Sequence, residues 1–97
     1  MSGVIRLTPE ELRAVARQYN NESSNVTELI SRLDNMSSHL QEIWEGASSQ
    51  AFVQQYHELR PSFEKMAVLL NEISQQLHNS ATILESTDQQ IASQIRG

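Results

Sequence analysis

Two stretches of apolar residues at seven-residue spacing, separated by Trp44-Glu45-Gly46, restrict the fold of this chain more than any other feature. The first row consists of Leu12, Tyr19, Val26, Leu33 and Leu40. The second row consists of Tyr56, Phe63, Leu70, Leu77, Leu84 and Ile91. This spacing keeps side chains on one helical face, and a glycine after a helix permits the left-handed conformation that lets the chain reverse. The pattern predicts an all-α, antiparallel helix-turn-helix hairpin.

Capping signals and proline positions set the expected boundaries of one domain over residues 1–97. Thr8 can cap a helix, Pro9 suits the first helical position, and Glu11 completes a capping box. We expect helix one over about 9–43, a Trp-x-Gly turn over 44–48, and helix two over about 49–95, started by Ser48 or Ser49. Pro61 removes a backbone hydrogen bond inside helix two, which predicts a kink there, with a break as the alternative.

Further apolar rows flank the two main ones, and on helix one they make the stripe three positions wide, broader than a two-stranded seam. A single hairpin would leave several of these side chains in water. We therefore predict that two hairpins dimerise into an elongated four-helix bundle. The expected centre of the interface is Val26, Leu29, Leu33, Met36 and Leu40. The alternative is that this row only closes the seam within one chain.

The charge of the chain narrows the classes of partner. Twelve acidic residues against seven basic ones give a net charge of −5, and Lys65 is the only lysine. We expect no nucleic-acid partner, because no basic stripe is available for phosphates. Stable membrane insertion is not expected, since the longest apolar run, Met66 to Leu70, is too short to span a bilayer. The acidic Pro9-Glu10-Glu11 precedes any long apolar run, so we expect no cleavable signal peptide.

Candidate catalytic and metal-binding groups are scattered. The three histidines, His39, His57 and His78, form no His-Glu-x-x-His motif. The chain has no Gly-x-Ser-x-Gly motif around its serines and contains no cysteine. We expect no catalytic residues, no metal and no cofactor, and hence no enzyme.

The Thr8 to Leu12 start and the segment from Trp44 to Phe52 resemble the WXG hundred-residue family of early-secreted-antigen-like type VII secretion substrates, most closely its EsxA/YukE type from Firmicutes. The family has a C-terminal helical pattern that Leu84, Asp88, Ile91 and Ile95 match. In its mycobacterial branch a tyrosine stands at the position of Leu84. The resemblance implies a secretion and partner-binding signal made of Trp44, Gly46, Leu84, Asp88, Ile91 and Ile95.

The resemblance also implies a function. It implies a non-enzymatic substrate, made in the cytoplasm and secreted as a folded dimer, whose partners are itself or a paralogous hairpin and the type VII membrane ATPase. The turn of one subunit would lie beside the C-terminal strip of the other at each end of an antiparallel dimer. The alternative is a helical adaptor or chaperone for a larger secreted partner such as a toxin. Membrane permeabilisation is a weaker alternative, because the polar faces are acidic and poor in lysine.

Overall fold

The computed structural model describes residues 7–96; residues 1–6 and 97 of the expected domain lie outside the described residues. It contains helix α1, Pro9–Ile43, and helix α2, Ala47–Arg96, which pack side by side in opposite directions. The molecule measures 77 × 27 × 16 Å and has a radius of gyration of 22.0 Å. A compact domain of this length has a radius of gyration of about 13 Å. The predicted all-α hairpin is confirmed, and it is a rod.

Helix α1 begins with a closed capping box. The backbone N–H of Glu11 donates to Thr8 Oγ1 at 3.1 Å, and the backbone N–H of Thr8 donates to Glu11 Oε2 at 3.3 Å. Pro9 occupies the first turn, where its missing N–H costs nothing. Glu10 and Glu11 also lie at the positive end of the helix dipole. These local interactions fix the residue at which α1 starts.

The turn is tighter than expected. Trp44 closes α1 with a backbone N–H that donates to the Leu40 carbonyl at 2.9 Å, and α2 already begins at Ala47. The expected start at Ser48 or Ser49 is therefore corrected. Gly46 has φ 128°, which reverses the chain in a single residue. Ser49 lies inside the first turn of α2 and its hydroxyl donates to the Gly46 carbonyl at 2.7 Å.

Helix α2 continues through Pro61 without the break that we weighed as an alternative. Residues just before the proline are bonded to α1, since Tyr56 and Arg60 both donate to the carboxylate of Asp34. These contacts hold the helix in place where proline removes one of its own bonds. The kink at Pro61 remains a prediction.

The seam between the helices is built from small side chains. On α1 its residues recur every seven positions from Ala16 through Ser23 and Ile30, and on α2 from Val53 through Ala67. The buried residues in the described range are Ala16, Ile30, Ser49, Val53, Ala67, Ser74 and Ala81. Small residues let helix axes approach closely, and the Ser23 hydroxyl donates directly to the Ala67 carbonyl at 2.7 Å. Apart from Ile30, the larger apolar side chains therefore lie beside the seam and not inside it.

One side of the hairpin is polar and carries an ion network between the helices. Arg60 donates from Nε and Nη2 to the two oxygens of Asp34, each at 2.9 Å, and Tyr56 Oη donates to the same carboxylate at 2.6 Å. These bonds, first Arg60 and then Tyr56, lower the pKa of Asp34 from 3.8 to about 2. Arg13 bonds Glu85 at 3.0 Å further along the same side. The network fixes the alignment of α1 against α2.

We predict that Asp34→Asn lowers the melting temperature near neutral pH and that this difference disappears in acid. A carboxylate whose pKa is depressed by folding stabilises the protein above its unfolded pKa. Its contribution is lost as the pH falls from about 4 to about 2. Thermal unfolding followed by circular dichroism at about pH 6, 4 and 2 measures the difference.

Glu28→Gln is the matched control, because Glu28 is exposed and forms no ion pair with another described residue. It should melt like the wild type at each pH. An Asp34→Asn difference that stays constant down to pH 2 would contradict the assigned role of the carboxylate.

Candidate functional site

The two regions expected to form the secretion signal lie at opposite ends of the hairpin. Trp44 and Gly46 occupy the turn, whereas Leu84 and Asp88 lie near the free end of α2. The contact between Arg13 and Glu85 places that part of α2 beside the first turns of α1. The rod is 77 Å long. A single chain therefore does not bring the two regions together.

Trp44 is held at the surface of the turn. Its backbone is extended, with φ −118° and ψ 105°, which points the chain out of α1. The indole packs against the Phe52 ring, with centroids 6.2 Å apart and planes tilted by 48°. It remains 40% exposed. The side chain thus supports the turn and also presents an aromatic surface at the tip of the hairpin.

The C-terminal strip becomes more exposed toward its end. Leu84 is half-buried beside α1, Asp88 is exposed, and Ile91 and Ile95 are 49% and 80% exposed. Their spacing places all four on one helical face. Because α2 extends past the start of α1, the last two isoleucines lie on a projecting segment of helix. An apolar strip with a carboxylate at its centre is available for contact.

The side of the hairpin opposite the ion network is apolar and open. Leu29, Met36 and Leu59 are 38%, 64% and 51% exposed there. Near the turn, Met36 and Leu59 border a groove of about 530 Å³ that Leu33, Leu40 and Phe52 also line. We call this side the apolar face. It comprises Val15, Val26, Leu29, Leu33, Met36, Leu40 and Ile43 of α1 and Phe52, Leu59, Phe63, Met66, Leu69 and Ile73 of α2.

All five residues predicted for the dimer interface lie on this apolar face. Val26, Leu33 and Leu40 are half-buried, because they also border the seam, whereas Leu29 and Met36 are turned further outward. The row therefore borders the seam and also extends onto the open face. Its outer members have no cover within the part of the chain that the structure describes.

Potential metal ligands do not assemble among residues 7–95. No three His, Cys, Asp or Glu side chains come close enough there to hold a metal ion. His39 approaches Glu42 at 3.9 Å, and both are exposed. No helix within the described range is long and apolar enough to cross a bilayer.

Two structural features escaped the sequence reasoning. The seam row of small residues on α2 was not recognised, although Val53, Ala67, Ser74 and Ala81 share one heptad position. The cluster of Asp34, Arg60 and Tyr56 was also missed, because only the pair of Arg60 with Glu64, here at 2.8 Å, has a recognisable helical spacing. Predicting either feature would have required knowledge of how α1 aligns against α2.

A family model described as proteins of 100 residues with WXG matches residues 4–89. The chain belongs to this family. The family expected from the Trp-x-Gly turn and the flanking helices is therefore confirmed. The match includes the turn and extends into the C-terminal strip as far as Asp88.

Relatives of this WXG protein agree with the assignment. It is 58% identical over 97 residues to protein YukE of Bacillus subtilis, covering 100% of both chains. It is 35% identical over 89 residues to the type VII secretion system extracellular protein A of Staphylococcus aureus, covering 92% of each. The crystal structure of EsxA from Geobacillus thermodenitrificans shares 86% identity and a TM-score of 0.88, over 93% of this chain and 98% of that one.

We predict that Gly46→Ala destabilises the hairpin through backbone strain alone. A Cβ at this position would meet nothing within 4 Å, but φ is 128°. Holding a non-glycine residue in such a region costs about 1–3 kcal/mol. Urea unfolding followed by circular dichroism measures the loss.

Ser48→Ala, in the exposed first turn of α2, is the neighbouring control and should change stability little. Equal stability of Gly46→Ala and the wild type would show that the turn can be made without the glycine.

Proposed function

We propose that this WXG protein is a non-enzymatic substrate of a type VII secretion system, exported as a folded homodimer. The observation that carries the proposal is the apolar face, which one hairpin leaves open along both helices. Membership of the family and the likeness to an extracellular protein of a type VII system supply the context. The protein would be made in the cytoplasm and released to the outside.

A second copy of the hairpin is the cover that fits this face best. The face is a long strip that follows both helices, so an equally long partner is required. Burying a Leu-sized side chain contributes about 1.5–3 kcal/mol, and the strip contains several such side chains, of which Met36, Leu59 and Met66 are each more than half exposed. Two hairpins packed through these faces form a four-helix bundle in which each helix has two neighbours.

An antiparallel arrangement places α1 against α1 and α2 against α2. The two apolar rows of α1 then interlock completely when the two-fold axis passes between Val26 and Leu29. In this register Leu12 of one copy packs near Ile43 of the second, and the apolar positions between them also find opposite rows. Sliding by one heptad would leave a turn or more of apolar side chains uncovered at each end.

The same arrangement assembles the secretion signal from two chains. The bond of Ser23 to Ala67 places the middle of α1 beside the part of α2 near residues 63–67. From the two-fold axis to Trp44 is roughly 25 Å along α1, or about 16 residues. The same distance along α2 of the second copy, counted from residues 63–67, reaches about residues 79–83, next to Leu84. Asp88 and Ile91 follow within two turns. Each end of the dimer would thus present Trp44 and Gly46 of one copy beside Leu84, Asp88, Ile91 and Ile95 of the other.

This composite surface suits recognition by the membrane ATPase of the secretion system. Aromatic anchors dominate the energetics of many protein interfaces, and Trp44 is already partly exposed. Ile91 and Ile95 extend the apolar area on the projecting helix, and Asp88 adds a charge that can select a basic partner group. A chain that has not dimerised would present only half of the surface at each end.

We predict that Met36→Asp weakens the dimer by about a hundredfold or more. The change removes apolar burial and introduces a charge twice in each symmetric interface. Light scattering and sedimentation at micromolar concentration should give a mass near twice 11.0 kDa for the wild type and a shift toward 11.0 kDa for the variant.

Val68→Asp is the matched control, because Val68 is 56% exposed but lies on the side of the ion network, beside Arg60 and Glu64. It should leave the mass unchanged. A folded wild-type monomer at micromolar concentration would contradict the proposal. Purification from cells in complex with a larger protein, instead of a second copy, would favour the adaptor alternative.

Export of paired variants tests whether the signal is composite. Trp44→Ala and Asp88→Asn should each reduce secretion, since each damages both ends of a homodimer. Co-expression of the two should restore secretion, because a mixed dimer has one end at which Trp44 of one chain meets Asp88 of the other. The measurement is the amount of each tagged chain in the culture medium.

The control has the same two substitutions on one chain. A tagged Trp44→Ala/Asp88→Asn chain paired with the wild type leaves neither end intact, so it should stay in the cells. Glu72→Gln, an exposed acid elsewhere on α2, should be secreted normally. Normal secretion of both single variants would contradict the proposed signal, and rescue by the doubly substituted pairing would contradict its composite nature.

A further inference from the structure

A single carboxylate interrupts an otherwise apolar row of α1. Glu22 lies between Val15 and Leu29 at the same heptad position that Met36 and Ile43 occupy further along. Its side chain is exposed and accepts one hydrogen bond, from Asn25 Nδ2 at 3.2 Å. It forms no ion pair with another described residue. A charge covered without a partner would oppose the association that this face otherwise favours.

The only positive side chain bordering the same side of α1 is Arg32. It shares a heptad stripe with Asn25 and His39, and His39 lines the groove of the apolar face together with Met36. Arg32 is exposed, and no carboxylate within the described residues pairs with it. Glu22 and Arg32 are ten positions apart on one helix, too far to meet within a chain.

Helix α2 offers no partner for either charge. The three heptad stripes that form its part of the face begin at Phe52, Gln55 and Tyr56, and they contain no charged residue through Gln94. If α1 packed against α2 of the second copy, Glu22 would face uncharged side chains. Charge complementarity therefore favours α1 against α1.

We propose that Glu22 of each copy pairs with Arg32 of the second copy, and that these two symmetric ion pairs set the register of the homodimer and its preference for an identical chain. The inference rests on the proposed homodimer. With the two-fold axis between Val26 and Leu29, Glu22 lies against Leu33 of the second copy, directly beside Arg32. A slide by one heptad moves Arg32 about 10 Å along the axis and separates the charges.

Charge reversal and mixing provide the test. Glu22→Arg and Arg32→Glu should each raise the dimer dissociation constant about tenfold or more, since two attractions become two repulsions. An equimolar mixture of the two variants should form a mixed dimer with an affinity close to that of the wild type, because both ion pairs are remade in it. The chain with both reversals should also recover. Sedimentation, with native mass spectrometry to separate mixed from identical pairs, measures this.

Arg17→Glu is the control for the charge change itself, because Arg17 is exposed on the stripe of α1 that also contains Ser24 and Ser31, opposite the apolar face. It should dimerise like the wild type. High salt should reduce the difference between the single reversals and the wild type, since exposed ion pairs are screened. Far-ultraviolet circular dichroism verifies that each variant remains helical.

Failure of the ion pair and failure of the homodimer give different results. A dimeric wild type whose single reversals do not weaken it, or whose mixture is no tighter than the variants alone, overturns the ion pair and leaves the homodimer standing. A monomeric wild type removes the homodimer and with it the basis of this inference. Preferential mixed pairing of Glu22→Arg with Arg32→Glu supports it.

Discussion

The close contact between α1 and α2 through small side chains determines the rest of this structure. Ala16, Ala67 and Ala81 leave no room in the seam for the leucines, phenylalanines and methionines that lie beside them. Those larger side chains collect on one side of the rod, and the ion network of Asp34 and Arg60 lies on the other. The hairpin thus has a polar side and an apolar side, and one chain leaves the apolar side exposed to water.

Much of the fold could be predicted from local signals. The capping box at Thr8, the glycine at the turn and the heptad rows each depend on residues close in sequence, so the two helices and their reversal were accessible without coordinates. Which residues form the seam could not be predicted in this way. Which of three adjacent rows faces the other helix depends on the alignment of α1 against α2, and that alignment is fixed by contacts between distant residues such as Ser23 and Ala67.

The candidate site also has parts that local sequence predicts and parts that depend on contacts between distant residues. Trp44, Gly46 and the Leu84 to Ile95 strip were identified from spacing and family resemblance, and the structure adds their exposure and their separation along the rod. The pairing of charges across two chains had no local signature. It depends on the position of Glu22 within the apolar face and on the uncharged stripes of α2, which offer that carboxylate no partner.

The position of Trp44 has a practical consequence. It is the only tryptophan of the chain, and it lies at the turn, in contact with Phe52. Fluorescence excited selectively at tryptophan therefore originates at the turn of the hairpin. Changes in the surroundings of the turn can therefore be followed by emission wavelength and quenching without attaching a dye.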